Sequence, residues 1–195
     1  MNVAQYAALG SMTVGTFAVN NPIPEVESAE RLLLAIASGS YAGLILTGDE
    51  TFRYLDWTLT TPLLTYTYWK TAVELGWTGT YELLGISPIL MSIFGYLAER
   101  IPKYRNLYYG ISFVFFLTIV LNVIEISSYL YRYNNALLNF IPWFFYIGWT
   151  LYALTFYTKD PSRSIVWSVL DIINKPLYAL VLGTANDQLV ASGDL

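Results

Sequence analysis

Apolar residues fall into seven long runs, each close to the roughly 20 residues a helix needs to cross a bilayer. They lie at about 3–19, 30–48, 51–72, 80–98, 105–131, 134–158 and 162–184. The first run is short and rich in Gly, Ser and Thr, so its hydrophobic signal is the weakest. Turn chemistry separates the runs: Asn20-Asn21-Pro22-Ile23-Pro24, Gly48-Asp49-Glu50, Gly76-Trp77-Thr78-Gly79, Ile101-Pro102-Lys103, Asn134-Asn135 and Asp160-Pro161-Ser162. Connections this short force neighbouring helices antiparallel. The pattern predicts an all-α, multi-pass integral membrane protein: a seven-transmembrane-helix up-and-down bundle, one domain over residues 1–195. No internal repeat or low-complexity segment is evident. Met1–Asn20 lacks the basic start of a cleavable signal peptide, and Ala185–Leu195 is too small a tail for a signalling domain.

Composition supports the membrane assignment. Hydrophobic residues make up 55% of the chain and charged residues only 12%, against about 25% charged in ordinary soluble domains. The 17 Tyr, 10 Phe and 6 Trp suit interfacial belts or a cavity that grips a flat apolar ligand. There is no Cys and no His, which removes disulfides, thiol catalysis and most zinc or haem chemistry. A net charge of −4 argues against nucleic acid as a partner. No metal site and no enzymatic activity are expected.

Against this background a few ionisable residues stand out. Lys175 follows Asp171 by four residues inside the apolar stretch Ser164–Gly183, so the two share a helical face. On the third run, Arg53, Asp56, Thr60 and Thr67 stand at i, i+3, i+7 and i+14, also on one face, with Pro62 in the same segment. Charged groups inside a membrane segment are costly and mark functional sites by default. Two carboxylates, one arginine and one lysine nearly neutralise one another, which burial demands. A neutral, desolvated amine is a nucleophile suited to a Schiff base with an aldehyde. A structural ion pair between helices is the alternative that residue types alone leave open.

Four segments then narrow the reading. Arg53-Tyr54-Leu55-Asp56-Trp57-Thr58-Leu59-Thr60-Thr61-Pro62-Leu63-Leu64 closely resembles the third-helix signature of the microbial (type 1) rhodopsins. Leu170-Asp171-Ile172-Ile173-Asn174-Lys175 resembles their seventh helix. Gly148-Trp149-Thr150-Leu151-Tyr152 and Phe94-Gly95-Tyr96-Leu97-Ala98-Glu99 resemble their sixth and fourth helices, most like the proteorhodopsin branch. The compact length is similar to rhodopsins of large algal viruses.

The resemblance implies roles. Lys175 would carry all-trans retinal as a protonated Schiff base. Asp56 would be the primary counterion and proton acceptor, Asp171 the second counterion, Arg53 the gate beneath them, and Thr60 a hydrogen-bond partner of Asp56. Trp57, Thr61, Met91, Gly95, Tyr109, Ser112, Trp149, Tyr152 and Phe156 would line the retinal, with ordinary helix packing as the alternative for each aromatic. The amino terminus would lie outside, although the basic residues Arg100, Lys103, Arg105, Lys159 and Arg163 on that side run against the positive-inside rule. Expected partners are the lipid bilayer, protons or other small ions, and further copies of the chain in a trimer or pentamer.

The departures bear on mechanism. Eleven residues after Asp56, where outward proton pumps of this family carry a carboxylate donor, stands Thr67. The usual sixth-helix proline is Ala153, and the branch's histidine is absent. Reprotonation would depend on water or on Glu125, for which a snorkelling interfacial acid is the blander reading. The leading expectation is a light-driven outward proton pump lacking its donor. A light-gated ion channel and a sensory photoreceptor acting through a partner protein are the alternatives.

Overall fold

Seven helical stretches follow one another among the described residues: α1 Val3–Ala18, α2 Pro24–Thr47, α3 Thr51–Glu74, α4 Glu82–Arg100, α5 Arg105–Leu130, α6 Ala136–Thr155 and α7 Ser162–Ser192. The structure, a computed structural model, describes residues 2–158 and 161–195. Lys159 and Asp160, and with them part of the Asp160-Pro161-Ser162 turn, lie outside the described residues. Helices adjacent in sequence pack together from α1 to α5, α6 packs along α7, and α1 touches the first half of α7 to close the ring. This is the seven-helix bundle that the apolar runs predict.

Local chemistry sets several helix ends. Asn2 and Gln5 form a reciprocal capping box on α1, satisfying two orphan N–H groups. The helix α2 starts at Pro24, ahead of the expected start near residue 30. Pro24 is preset for a first helical position, and Glu25 and Glu27 favour the positive end of the helix dipole. Gly48 ends α2 with φ 71°, the left-handed conformation that glycine adopts without penalty. The helix α7 runs on to Ser192 rather than ending near residue 184, because Ala185, Asn186 and Leu189 keep a buried face against the bundle.

Five helices are long and apolar enough to cross a membrane by length and composition: α2, α4, α5 with its flanking turns, α6 and α7. α1 has only 16 residues, and α3 turns Arg53, Asp56, Thr60 and Thr67 inward at its hydropathy's expense. The bundle's outer surface shows large apolar side chains such as Leu107, Val114, Leu121, Leu154 and Leu180. Its interior holds buried polar ones. That inversion is what a lipid surround favours.

The last two helices are irregular where they face each other. Phe144–Trp149 and Ile173–Leu177 open into wide π-helical turns, the second containing Pro176. Such turns shift the facing residues and recur at functional sites. Gly148 permits the close approach: a Cβ there would collide with the Asn174 amide.

Candidate functional site

Lys175, at the wide turn of α7, is buried beside both carboxylates. Its Nζ pairs with Asp56 Oδ2 and lies 3.1 Å from Asp171 Oδ1. Asp56 and Asp171 are each 0% exposed. The i,i+4 spacing on α7 brings Asp171 to the lysine, and the inward face of α3 brings Asp56 from across the bundle.

The two carboxylates are held differently. Asp171 Oδ1 also accepts from Tyr152 Oη at 2.8 Å and Trp57 Nε1 at 3.1 Å. Asp171 Oδ2 accepts from Tyr41 Oη at 2.6 Å and Arg53 Nη1 at 3.3 Å. Asp56 Oδ2 pairs with Lys175, and its Oδ1 has no hydrogen-bond partner. The Thr60 hydroxyl donates to the Asp56 main-chain carbonyl at 2.8 Å. The expected Thr60–Asp56 contact therefore goes to the backbone: on a helix that carbonyl is within easy reach of a threonine four residues on, and the hydroxyl has one proton to give.

Arg53 pairs with Asp171 rather than with Asp56. Its Nε donates to Glu50 Oε2 at 2.9 Å, Nη1 to Tyr41 Oη at 2.9 Å, and Nη2 reaches Ser164 and Ser168 at 3.3 and 3.4 Å. Glu50 also accepts from Ser164, which accepts in turn from Gln5 Nε2 at 3.2 Å. A continuous polar path thus runs from Asp171 through Arg53 to half-exposed Glu50, at the end of the bundle that carries the amino terminus.

Lys175 and Asp171 open on a cavity with about 780 Å³ between its lining atoms, its mouth included. Trp57, Thr61, Met91, Gly95, Tyr109, Ser112, Trp149, Tyr152 and Phe156 all line it. So do Leu64, Ala153 and Asn174, and with them Phe116 and Trp167, which the sequence pattern did not mark. Trp57 packs edge-on against Tyr152 and Trp167 with ring centroids 5.1 and 5.0 Å apart, and Tyr109 stacks on Phe156 at 4.8 Å. Tyr109 Oη donates to the Ala153 carbonyl and Ser112 Oγ to the Met91 carbonyl, each at 2.8 Å, tying α5 to its neighbours across the cavity.

At the other end of α3, Thr67 is fully buried and lies 3.0 Å from Tyr178 Oη. Glu125 does not join this interior: it sits on the exposed face of α5, among side chains that look away from the bundle. The third buried carboxyl, after Asp56 and Asp171, is Glu30, 1% exposed on α2. It stands at the first position of the expected 30–48 run, where the sequence pattern did not mark it. Tyr41 and Ser164 left no spacing signal either, since their partners Asp171, Arg53 and Gln5 come from distant parts of the chain.

The Bacteriorhodopsin-like protein family model matches residues 6–189, and the chain belongs to that family. The fold is similar to Exiguobacterium sibiricum rhodopsin, at 19% identity and TM-score 0.79 over 97% of this chain and 96% of that one. It is similar to halorhodopsin, described as a light-driven chloride pump, at 15% identity and TM-score 0.81 over 98% and 95%. A blue light-absorbing proteorhodopsin from Med12 aligns at 20% identity and TM-score 0.77 over 97% and 98%. No curated protein matches significantly by sequence.

Proposed function

We propose that this chain is a retinal-dependent, light-driven proton pump that moves protons outward, toward the side of its amino terminus. The observation that carries the reading is a buried amine, Lys175, held between two buried carboxylates at the wall of an aromatic cavity. A flat polyene aldehyde fits that arrangement: the walls are rings and small side chains, and Lys175 is the amine that opens on them. Membership of the family and the shared fold support retinal as the ligand.

Trp57, Met91, Trp149, Tyr152 and Phe156 would hold retinal, and Lys175 Nζ would be its point of attachment. When bound there, retinal supplies the absorption of light and a light-driven change of shape at that nitrogen. The protein's residues do the rest. Asp171, with five donors, is anchored as an anion and holds the positive charge of the dark state in place. Asp56, with an oxygen that bonds nothing, is free to take the proton from Nζ. Arg53, which bonds Asp171 on one side and Glu50 and Ser164 on the other, would relay the change in charge at the amine along the path outward. Carboxylates flanking the amine favour a proton over chloride as cargo, even though halorhodopsin shares the fold.

A light-gated channel is the second reading. It draws on the buried polar groups Asn21, Glu30, Thr71 and Asn186 at the far end of the bundle. Lys175→Ala tests the common ground. With retinal added, the wild-type protein should be coloured and the variant colourless; a coloured, retinal-linked variant would end both readings.

A further inference from the structure

We infer that Glu30 is the acid that returns a proton toward Lys175 from the end of the bundle opposite Arg53, the part that Thr67 cannot play. The inference rests on the proposed pump. It starts from a buried carboxyl that the site above does not use.

Glu30 lies in the second turn of α2, 1% exposed. Its Oε2 accepts a long bond of 3.4 Å from Asn21 Nδ2, and its Oε1 has no partner. Asn21 is itself fixed, accepting from the Ile23 N–H and from Asn186 Nδ2, both at 3.1 Å. Asn186 Nδ2 also reaches Thr71 Oγ1 at 3.2 Å. Four buried polar side chains, from the α1–α2 turn, α2, α3 and α7, therefore converge on one spot.

The nearby charges are engaged elsewhere. Arg31 pairs with Glu27 at 2.5 Å, and Lys70 with Glu74 at 2.6 Å. Tyr178, from α7, and Glu27, one turn away on α2, are the titratable groups that feel the Glu30 charge. Among the described residues no Lys or Arg nitrogen lies within ion-pair distance of Glu30. A buried carboxylate without a counterion costs several kcal/mol, so Glu30 holds a proton at rest. Glutamine would fill this amide-rich cluster without that cost. The acid is what a proton store requires.

The geometry supplies the route. Asn186 is eleven residues beyond Lys175 on α7, about 16 Å at the helical rise. Tyr178 stands between them, paired with Thr67 and 3.1 Å from the Leu64 carbonyl. After Nζ has given its proton to Asp56, the Glu30 proton leaves Oε and travels by transient water and the Thr67–Tyr178 hydroxyls to Nζ. Glu30, now a carboxylate, takes a proton from the aqueous phase at its own end, past Asn21 and Asn186. One proton leaves on the Glu50 side and one enters on the Glu30 side.

Two measurements test this. Infrared spectra of the retinal-free protein in membranes at neutral pH should contain a protonated carboxyl band that Glu30→Gln removes. An unchanged band would overturn the inference. With retinal, flash photolysis should show recovery that Glu30→Gln slows by about 10- to 100-fold and makes steeply pH-dependent, because a positioned acid has been lost. Azide, a small mobile acid, should restore the rate, and Glu30→Asp should retain part of it. Unchanged recovery in a coloured Glu30→Gln protein that still protonates Asp56 would sink Glu30 alone. Slowing that azide does not relieve would mean a structural role and would also sink it. A colourless wild type would instead remove the pump reading and this inference with it. If Glu30→Gln does not assemble, wild-type protein with isotope-labelled glutamate decides: no glutamate carboxyl losing its proton as Nζ regains one overturns the inference.

Discussion

Asp56 and Asp171 flank the same amine, yet one has a free oxygen and the other none. That asymmetry predicts different outcomes for the same chemical change. Asp56→Asn should leave the fold intact, shift absorption to the red and abolish proton transfer. It removes the acceptor and the nearer anion that stabilises the dark-state cation. Flash photolysis and a spectrum check both; an unshifted, transporting variant would exclude Asp56 as acceptor. Asp171→Asn should destabilise the protein by up to about 3–5 kcal/mol, because Arg53 loses the buried one of its two carboxylate partners and keeps only half-exposed Glu50; thermal loss of colour measures it. Leu64 is 2% exposed and lines the cavity, so it places no dipole beside a bound polyene. The wild type should absorb green light and Leu64→Gln should shift to the blue. A blue wild-type maximum would show that Leu64 does not set the colour. At this scale the sequence was readable where partners are local or the motif is continuous. Lys175 and Asp171 are four residues apart, and Arg53-to-Leu64 is one unbroken signature. Tyr41 donates to Asp171 from 130 residues away and is one of 17 tyrosines, so nothing in its neighbours singles it out. Glu30 was hidden by its place at the edge of an apolar run.

The helices themselves were legible because each apolar run is long and the turns between runs carry Pro, Gly and Asn. Their ends were less so. Capping and tertiary packing decide them, as Pro24 and Asn186 illustrate. The wide turns of α6 and α7 left little trace in the pattern beyond Pro176 in the second, since they form where Gly148 and Asn174 meet across the two helices. Turn chemistry yields its own prediction at the α2–α3 connection. Asp49 Oδ1 accepts from the Thr51 N–H at 2.9 Å and Thr51 Oγ1 at 2.7 Å, and Arg100 lies 3.1 Å away. The Thr51 bonds, with Arg100 second, hold the Asp49 carboxyl below the usual carboxylate range. A carboxyl with a depressed pKa in the folded state stabilises above its unfolded value and loses that contribution as pH falls through the folded one. Asp49→Ala should therefore lower the melting temperature modestly at neutral pH, and the difference should shrink in acid below about pH 4. A gap that stays constant with pH would assign the effect to something other than the charge.

At the scale of the whole bundle, two groups of polar residues lie toward its opposite ends. One runs from Lys175 through Arg53 to Glu50, and the other gathers Asn21, Glu30, Thr71 and Asn186. Between them the interior is filled by Leu34, Leu64, Tyr68, Phe145 and Leu182, all buried in one apolar cluster. The Thr67–Tyr178 hydroxyl pair interrupts that layer next to Leu64. A channel needs a water path open through both halves at once. A pump needs one half closed while the other exchanges its proton, and a packed apolar layer beside the switching amine meets that need. Driving a proton against 100 mV takes about 2.3 kcal/mol, well within what absorbed light provides. Photocurrents recorded under voltage clamp should therefore keep one sign across the range from about −100 to +100 mV and shrink smoothly as the opposing potential grows. A current that reverses near the equilibrium potential of protons or another ion would mean that the layer opens under light, and the channel reading would replace the pump. Absence of any photocurrent in a coloured protein that still protonates Asp56 would point to a sensor, in which the same movement of Arg53 is read by a partner protein.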